Sequence, residues 1–307
     1  IGRYGSDFIA FQTDEPADTT DGKKPVKLEK DQGIDLMVYN LNSDKVDTLK
    51  GVFQYSFSNG GDSLFIVRRP HSKDSTLQAG LYLYTPRDRR LTTIYNSHLK
   101  QTVKLPTVSK DNSDIVFYAN LDTTKSGKEA VSILHYREGY RQAEILIDDN
   151  LKGLQEGWRI SEHRALIVSE SGKRLYFGIA PILPKKDSTI VESEVAKLDI
   201  WHYQDNYIQP QQLKSLNRDL RKSYMSVVNL NEEPLLRQLS TDQYHIVQLP
   251  EGGDANWGYS VSNYNYQMES QWDANPKRDL YIIDIESGEA KLLLKEHYIR
   301  NVESSPK

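Results

Sequence analysis

Apolar residues along this chain come in short alternating bursts broken by Gly, Asn, Asp and Ser. Three stretches share one plan, an apolar strand, a serine, a polar turn and a second apolar strand: 55–67, 106–118 and 166–178. Their turns read Ser58-Asn59-Gly60-Gly61-Asp62-Ser63, Ser109-Lys110-Asp111-Asn112-Ser113-Asp114 and Ser169-Glu170-Ser171-Gly172-Lys173-Arg174. Gly, Asn and Asp accept positive φ or bond their side chains back to the backbone, so each turn predicts a hairpin. The three serines mark a period on the order of 50 residues.

A second pattern follows the first: a strand alternating aromatic and aliphatic residues, a polar turn, then an aliphatic strand. Leu36-Met37-Val38-Tyr39-Asn40-Leu41 leads to Val46-Asp47-Thr48-Leu49, and Leu81-Tyr82-Leu83-Tyr84 leads to Leu91-Thr92-Thr93-Ile94. Ser132-Ile133-Leu134-His135-Tyr136 and Leu280-Tyr281-Ile282-Ile283-Asp284-Ile285 repeat it. Two hairpins per repeat make a four-stranded antiparallel unit, which predicts an all-β fold of β-propeller blades. The count gives an incomplete blade over 4–50, then blades over 51–97, 98–150, 151–243 and 244–295, about four to five in all. Both ends fall inside a repeat, so residues 1–307 are expected to be β-propeller throughout and part of a longer protein.

The interruptions carry information too. Thr13 to Gln32 is polar, with Asp14, Asp18, Asp21, Lys23 and Lys24, and reads as an exposed loop. Insertions over 181–197 and 203–222 lengthen the fourth unit, and Leu213, Leu216 and Leu220 have the spacing of a short helix.

Composition agrees with sheet: 19 Tyr, 7 Phe and 4 Trp suit half-buried pleated surfaces. A net charge of −4 without long blocks of one sign argues against nucleic acid as a partner. The absence of Cys excludes disulfides, thiolate metal sites and a cysteine nucleophile. No apolar run has the ~18 residues a membrane-spanning helix requires. The chain starts at Ile1 with no signal-like segment, as expected if a leader has been removed or left out.

Catalytic patterns are sparse. The strained elbow Gly-x-Ser-x-Gly of an α/β-hydrolase does not occur; Gly258-Tyr259-Ser260-Val261-Ser262 comes nearest, lacks the second glycine and alternates like a strand. The seven histidines form no helical zinc pair, and His202, beside Trp201, is expected to be packed in a strand. Asp111-Asn112-Ser113-Asp114 lacks calcium-loop spacing and reads as a turn. Ser126-Gly127-Lys128 lacks the upstream glycine of a phosphate loop. Glu232 and Glu233 could hold an ammonium group, but Asn231-Glu232-Glu233-Pro234 reads as a solvated loop. Glu251-Gly252-Gly253-Asp254-Ala255-Asn256-Trp257 could face a ligand or close a hairpin. No catalytic, metal-binding or cofactor-binding residue and no cofactor is therefore assigned.

The segment from Glu194 to Leu213, with Asp199-Ile200-Trp201-His202 and Gln209-Pro210-Gln211-Gln212, resembles the propeller region of Bacteroidetes-type prolyl oligopeptidase family serine peptidases, which include dipeptidyl peptidase-like enzymes. Gly178-Ile179-Ala180-Pro181, Lys222-Ser223-Tyr224 and Glu269-Ser270-Gln271-Trp272-Asp273 extend the resemblance over most of the chain. It implies an N-terminal propeller of seven or eight blades in a periplasmic or otherwise extracytoplasmic peptidase acting on peptides. Its catalytic α/β-hydrolase domain, with a Ser-Asp-His triad, would lie beyond Lys307 in the same polypeptide. Glu232 and Glu233 lack the context of the amine-gripping glutamates of dipeptidyl peptidases, and that role is not transferred. The alternative is a stand-alone propeller that binds protein or glycan without catalysis. An isolated set of blades is expected to self-associate through its open edges.

Overall fold

The computed structural model describes residues 7–13, 32–70, 76–99, 101–122, 131–184, 202 and 205–305. The charged loop residues 14–31, His71, Ser126-Gly127-Lys128 and Asp199-Ile200-Trp201 lie outside the described residues. The chain divides into two compact units, Ile1–Asp148 and Asp149–Lys307.

In the first unit, β1 (Phe8–Gln12), β2 (Ile34–Asn40), β3 (Lys45–Phe57), β4 (Leu64–Arg68), β5 (Gly80–Thr85) and β6 (Arg90–Asn96) form one antiparallel meander in chain order. β3 serves two blades. Its residues up to Val52 pair with β2, and those from Val52 onward pair with β4. The corner is Gly51, at φ 67°, where side chains are disfavoured. A Cβ on Gly33 would lie 2.3 Å from the Gly51 carbonyl oxygen, so β2 and β3 can approach here only because glycine occupies the position. The blade boundary expected at residue 51 is thus a bend rather than a gap in hydrogen bonding.

The second sheet contains β7 (Thr102–Val103), β8 (Thr107–Val108), β9 (Asp114–Asn120), β10 (Val131–Arg137) and β11 (Glu144–Ile147). β7 and β8 both pair with β9, so the sheet is a four-stranded blade whose first strand is broken around Pro106, which has no N–H to give the ladder.

The second unit repeats this plan. β12 (Trp158–Ser161) and β13 (Ile167–Val168) pair with β14 (Arg174–Pro181), which continues to β15 (Tyr224–Asn229) and β16 (Arg237–Gln238). The last sheet is β17 (Trp257–Ser262), β18 (Arg278–Asp284) and β19 (Ala290–His297), with a single antiparallel bridge from Gln248 to Tyr259 where a fourth strand would lie.

The serine turns are the same structure three times. The N–H of Ser58, Ser109 and Ser169 donates to the carbonyl five residues on, each at 2.9 Å. Each serine carbonyl accepts from the third residue after it, Gly61, Asn112 or Gly172, all at positive φ. Each hydroxyl then accepts from the N–H of Ser63, Asp114 or Arg174, at 3.3, 2.9 and 3.2 Å. The side chain thereby satisfies a donor the turn would otherwise leave exposed.

Burial shows why the blades stack. Leu64, Phe65, Ile66 and Val67 of β4 are all buried, yet they divide between two cores. Leu64 and Ile66 join Phe8, Leu36, Val38 and Tyr84, whereas Phe65 and Val67 join Ile94, Ile115, Phe117 and Leu134. A strand with both faces covered needs a sheet on each side, and full burial of each such side chain is worth about 1.5–3 kcal/mol. In the second unit, Tyr176, Met225 and Val227 of the third sheet meet Tyr281 and Ile283 of the fourth in the same way. The fold is all-β, built from four-stranded antiparallel propeller blades.

Candidate functional site

Two departures from the regular blade bring polar side chains together at one end of the third sheet. Its first strand breaks between β12 and β13, turning His163 and Arg164 out of the ladder. The connection from β14 to β15 is long and contains α1 (Gln209–Asp219), with Pro210 in its first turn and Arg218 in its last. Proline suits a helix start, where an N–H has no partner, and a cation suits the carbonyl end of the dipole. Because Ile179 pairs directly with Tyr224, the described residues of this connection, 182–184, 202 and 205–223, stand outside the sheet. The two expected insertions are one connection in a single hairpin.

Between these parts lies a cavity of about 760 Å³. Arg164, Arg218, Arg221 and Lys222 line it against two carboxylates, Asp219 and Asp242. Ala165, Ile167, Met225, Tyr207 and Tyr264 supply apolar and aromatic wall. Arg164 donates from Nη2 to the Ser223 carbonyl at 2.9 Å, fixing the broken strand against the start of β15. Asp242 accepts from Lys222 Nζ and, at 2.6 Å, from the Tyr224 hydroxyl. Burial pushes the Asp242 carboxyl up, but these hydrogen bonds outweigh it and hold the group below the ordinary aspartate value. His245 stands edge-on to Tyr224, ring centroids 5.5 Å apart. Burial, with the charges of Arg164 and Lys222, lowers its pKa and favours the neutral ring. Its Nδ1 is buried and has no hydrogen-bond partner.

The structure places the other sequence candidates elsewhere. His202 lies in exposed irregular backbone, not packed in a strand; the direct pairing of β14 with β15 leaves it no sheet to join. Glu232 and Glu233 are both exposed, and Glu232 accepts from Asn229 Nδ2 at 3.3 Å. Ser260 is 1% exposed within β17, opposite Tyr281. The loop from Glu251 to Asn256 is fastened to the third sheet. Tyr176 donates to the Gly253 carbonyl at 2.6 Å, and the Ser171 N–H donates to Asp254 at 2.8 Å. Asp111 and Asp114 close their hairpin, Asp114 also pairing with His135 and Arg137. Of the histidines, His163 and His245 come together in the cavity. Among the described residues no three His, Asp or Glu side chains converge as metal ligands, and no helix is long and apolar enough to cross a membrane. Sequence reasoning missed the cavity, although Arg218, Arg221 and Lys222 at the end of a predicted helix were a visible signal.

The molecule is therefore a set of propeller blades bearing a basic cavity on one insertion. No protein-family model and no curated protein matches the chain. Similar solved structures include an oligogalacturonate lyase in complex with manganese, at 13% identity and TM-score 0.42, over 84% of this chain and 58% of that one. They also include a prolyl endopeptidase, at 12% identity and TM-score 0.42, over 94% of this chain and 32% of that one. A third is the dipeptidyl peptidase 4 of Porphyromonas gingivalis, at 14% identity and TM-score 0.42, over 86% of this chain and 37% of that one. The matches to these three cover between 32% and 58% of their lengths.

Proposed function

We propose that these blades are the non-catalytic propeller portion of a prolyl oligopeptidase family serine peptidase. In this reading they restrict access to a separate α/β-hydrolase domain of the same polypeptide, contribute contacts to peptide substrates, and work in the periplasm or another extracytoplasmic space. The observation that carries the reading is the joining of two features in one blade. The Ser169 turn belongs to a four-stranded blade whose first strand is broken, and the β14 to β15 hairpin of that blade carries the insertion with Asp199-Ile200-Trp201-His202, the segment that resembles the family. A blade supplies rigidity, and an insertion at its end supplies contacts that vary without disturbing the core.

The test is labelling of the full gene product with a fluorophosphonate, alongside hydrolysis of a Gly-Pro chromogenic substrate. The expected result is a labelled serine outside residues 1–307 and no turnover by residues 1–307 alone. A full-length product that neither labels nor hydrolyses would favour a stand-alone propeller that binds protein or glycan. Fluorophosphonate-sensitive turnover by residues 1–307 would overturn both readings.

A further inference from the structure

We infer that the cavity at the end of the third sheet binds the carboxylate terminus of a peptide, with the adjoining side chain laid against its apolar wall. Four cations face two carboxylates there, and both carboxylates already have partners. Arg218 Nε lies 3.4 Å from Asp219, and Asp242 takes Lys222 and the Tyr224 hydroxyl. The Arg221 guanidinium has no partner among the described residues, so the cavity has a surplus of positive charge. A guanidinium presents parallel N–H groups that match a carboxylate's two oxygens, which makes it the natural receptor for that group.

A second, independent feature is the imidazole of His245. Burial and the charges of Arg164 and Lys222 favour its neutral form, so the ring borders the cavity as a flat, uncharged wall beside the cations.

The third feature separates a peptide from a small inorganic anion. At about 760 Å³ the cavity falls within the range of organic ligand sites. Ile167, Tyr207 and Tyr264 are each 37% exposed at its wall. A phosphate ion would use the cations and leave this surface wet, whereas a C-terminal residue with an apolar side chain would cover it.

The inference concerns binding and needs no hydrolysis, so it stands or falls apart from the peptidase reading. The test is calorimetric titration of the full chain with acetyl-Ala-Ala-Leu bearing a free C-terminal carboxylate, with the same peptide as its C-terminal amide, and with inorganic phosphate at matched ionic strength. The acid is expected to bind at least tenfold more tightly than the amide. The double variant Arg218→Gln/Arg221→Gln, altered at two exposed side chains, should keep its melting temperature and erase that difference. Three results would overturn the inference: equal binding of acid and amide, binding of neither, or phosphate binding as tightly as the acid.

Discussion

Arg174 on β14 places Nη2 2.7 Å from Glu286 Oε1, joining the start of a strand in the third sheet to the turn after β18 in the fourth. The same guanidinium donates to the carbonyls of Asp254 and Ala255, at 3.0 and 2.8 Å, and to Asn256 Oδ1 at 2.5 Å. One cation, in a residue only 8% exposed, thus satisfies four acceptors and fixes the loop that leads into β17.

Arg174→Leu should therefore destabilise the second unit by about 3 kcal/mol, because it strands the Asp254 and Ala255 carbonyls, which lose charge-assisted bonds. Glu286→Gln should change stability by less than about 1 kcal/mol, since its side chain is 49% exposed and water replaces part of the pair. Urea unfolding of the two variants reads the difference, and equal losses would show that the charge pair, rather than the carbonyl bonds, dominates.

The serine turns make a backbone prediction. Gly61 has φ 76°, and a Cβ there would meet nothing within 4 Å, so Gly61→Ala should lose about 1 kcal/mol purely through the left-handed conformation. Asn112 holds the equivalent place at φ 60° with an exposed side chain. Asn112→Gly should stay within about 0.5 kcal/mol of the parent in thermal melts, whereas Asn112→Ala should lose about 1 kcal/mol.

What the sequence made legible was local. The Ser58, Ser109 and Ser169 turns were readable because their chemistry lies within six consecutive residues, and β4 was readable as a strand because it is an unbroken apolar run after such a turn. Arg174 and Glu286 were not, since two side chains meeting across stacked sheets leave no period in either segment. The cavity was hidden for the same reason: His163, Arg221, Asp242 and Tyr264 come from four separate departures from the blade. Helix α1 lies between these cases. The spacing of Leu213, Leu216 and Leu220 marked it, but it also implied a packed face, and none of the helix residues is buried.

That exposure has a measurable consequence. Leu213 and Leu216 are 60% and 48% exposed, so Leu213→Ser/Leu216→Ser removes little buried surface. The expected loss of stability is below about 0.5 kcal/mol per site in urea unfolding, a surface value. A loss of several kcal/mol would mean that this face is covered in solution.

The last prediction concerns acid. Asp114 is 3% exposed at the start of β9, accepting from His135 Nε2 at 2.7 Å and from Arg137 Nη2 at 2.6 Å. Burial pushes its carboxyl up, but the bonds from His135, Arg137 and Ser113 prevail and hold it below the ordinary value. Asp111 in the same turn, accepting from Ser109 and Ser113, is pushed down to about 2. Groups that ionise more readily when folded contribute their full stability above the unfolded value of ~3.9 and lose it as pH falls through the folded one. Asp114→Asn should cost about 2 kcal/mol at neutral pH, less than the ~3–5 kcal/mol of a fully buried pair because the Arg137 side chain is 46% exposed. The gap between parent and variant should then shrink as pH falls below about 4. Urea midpoints measured across that window test this, and parallel curves would mean that the carboxylate's charge contributes nothing to the stability of the blade.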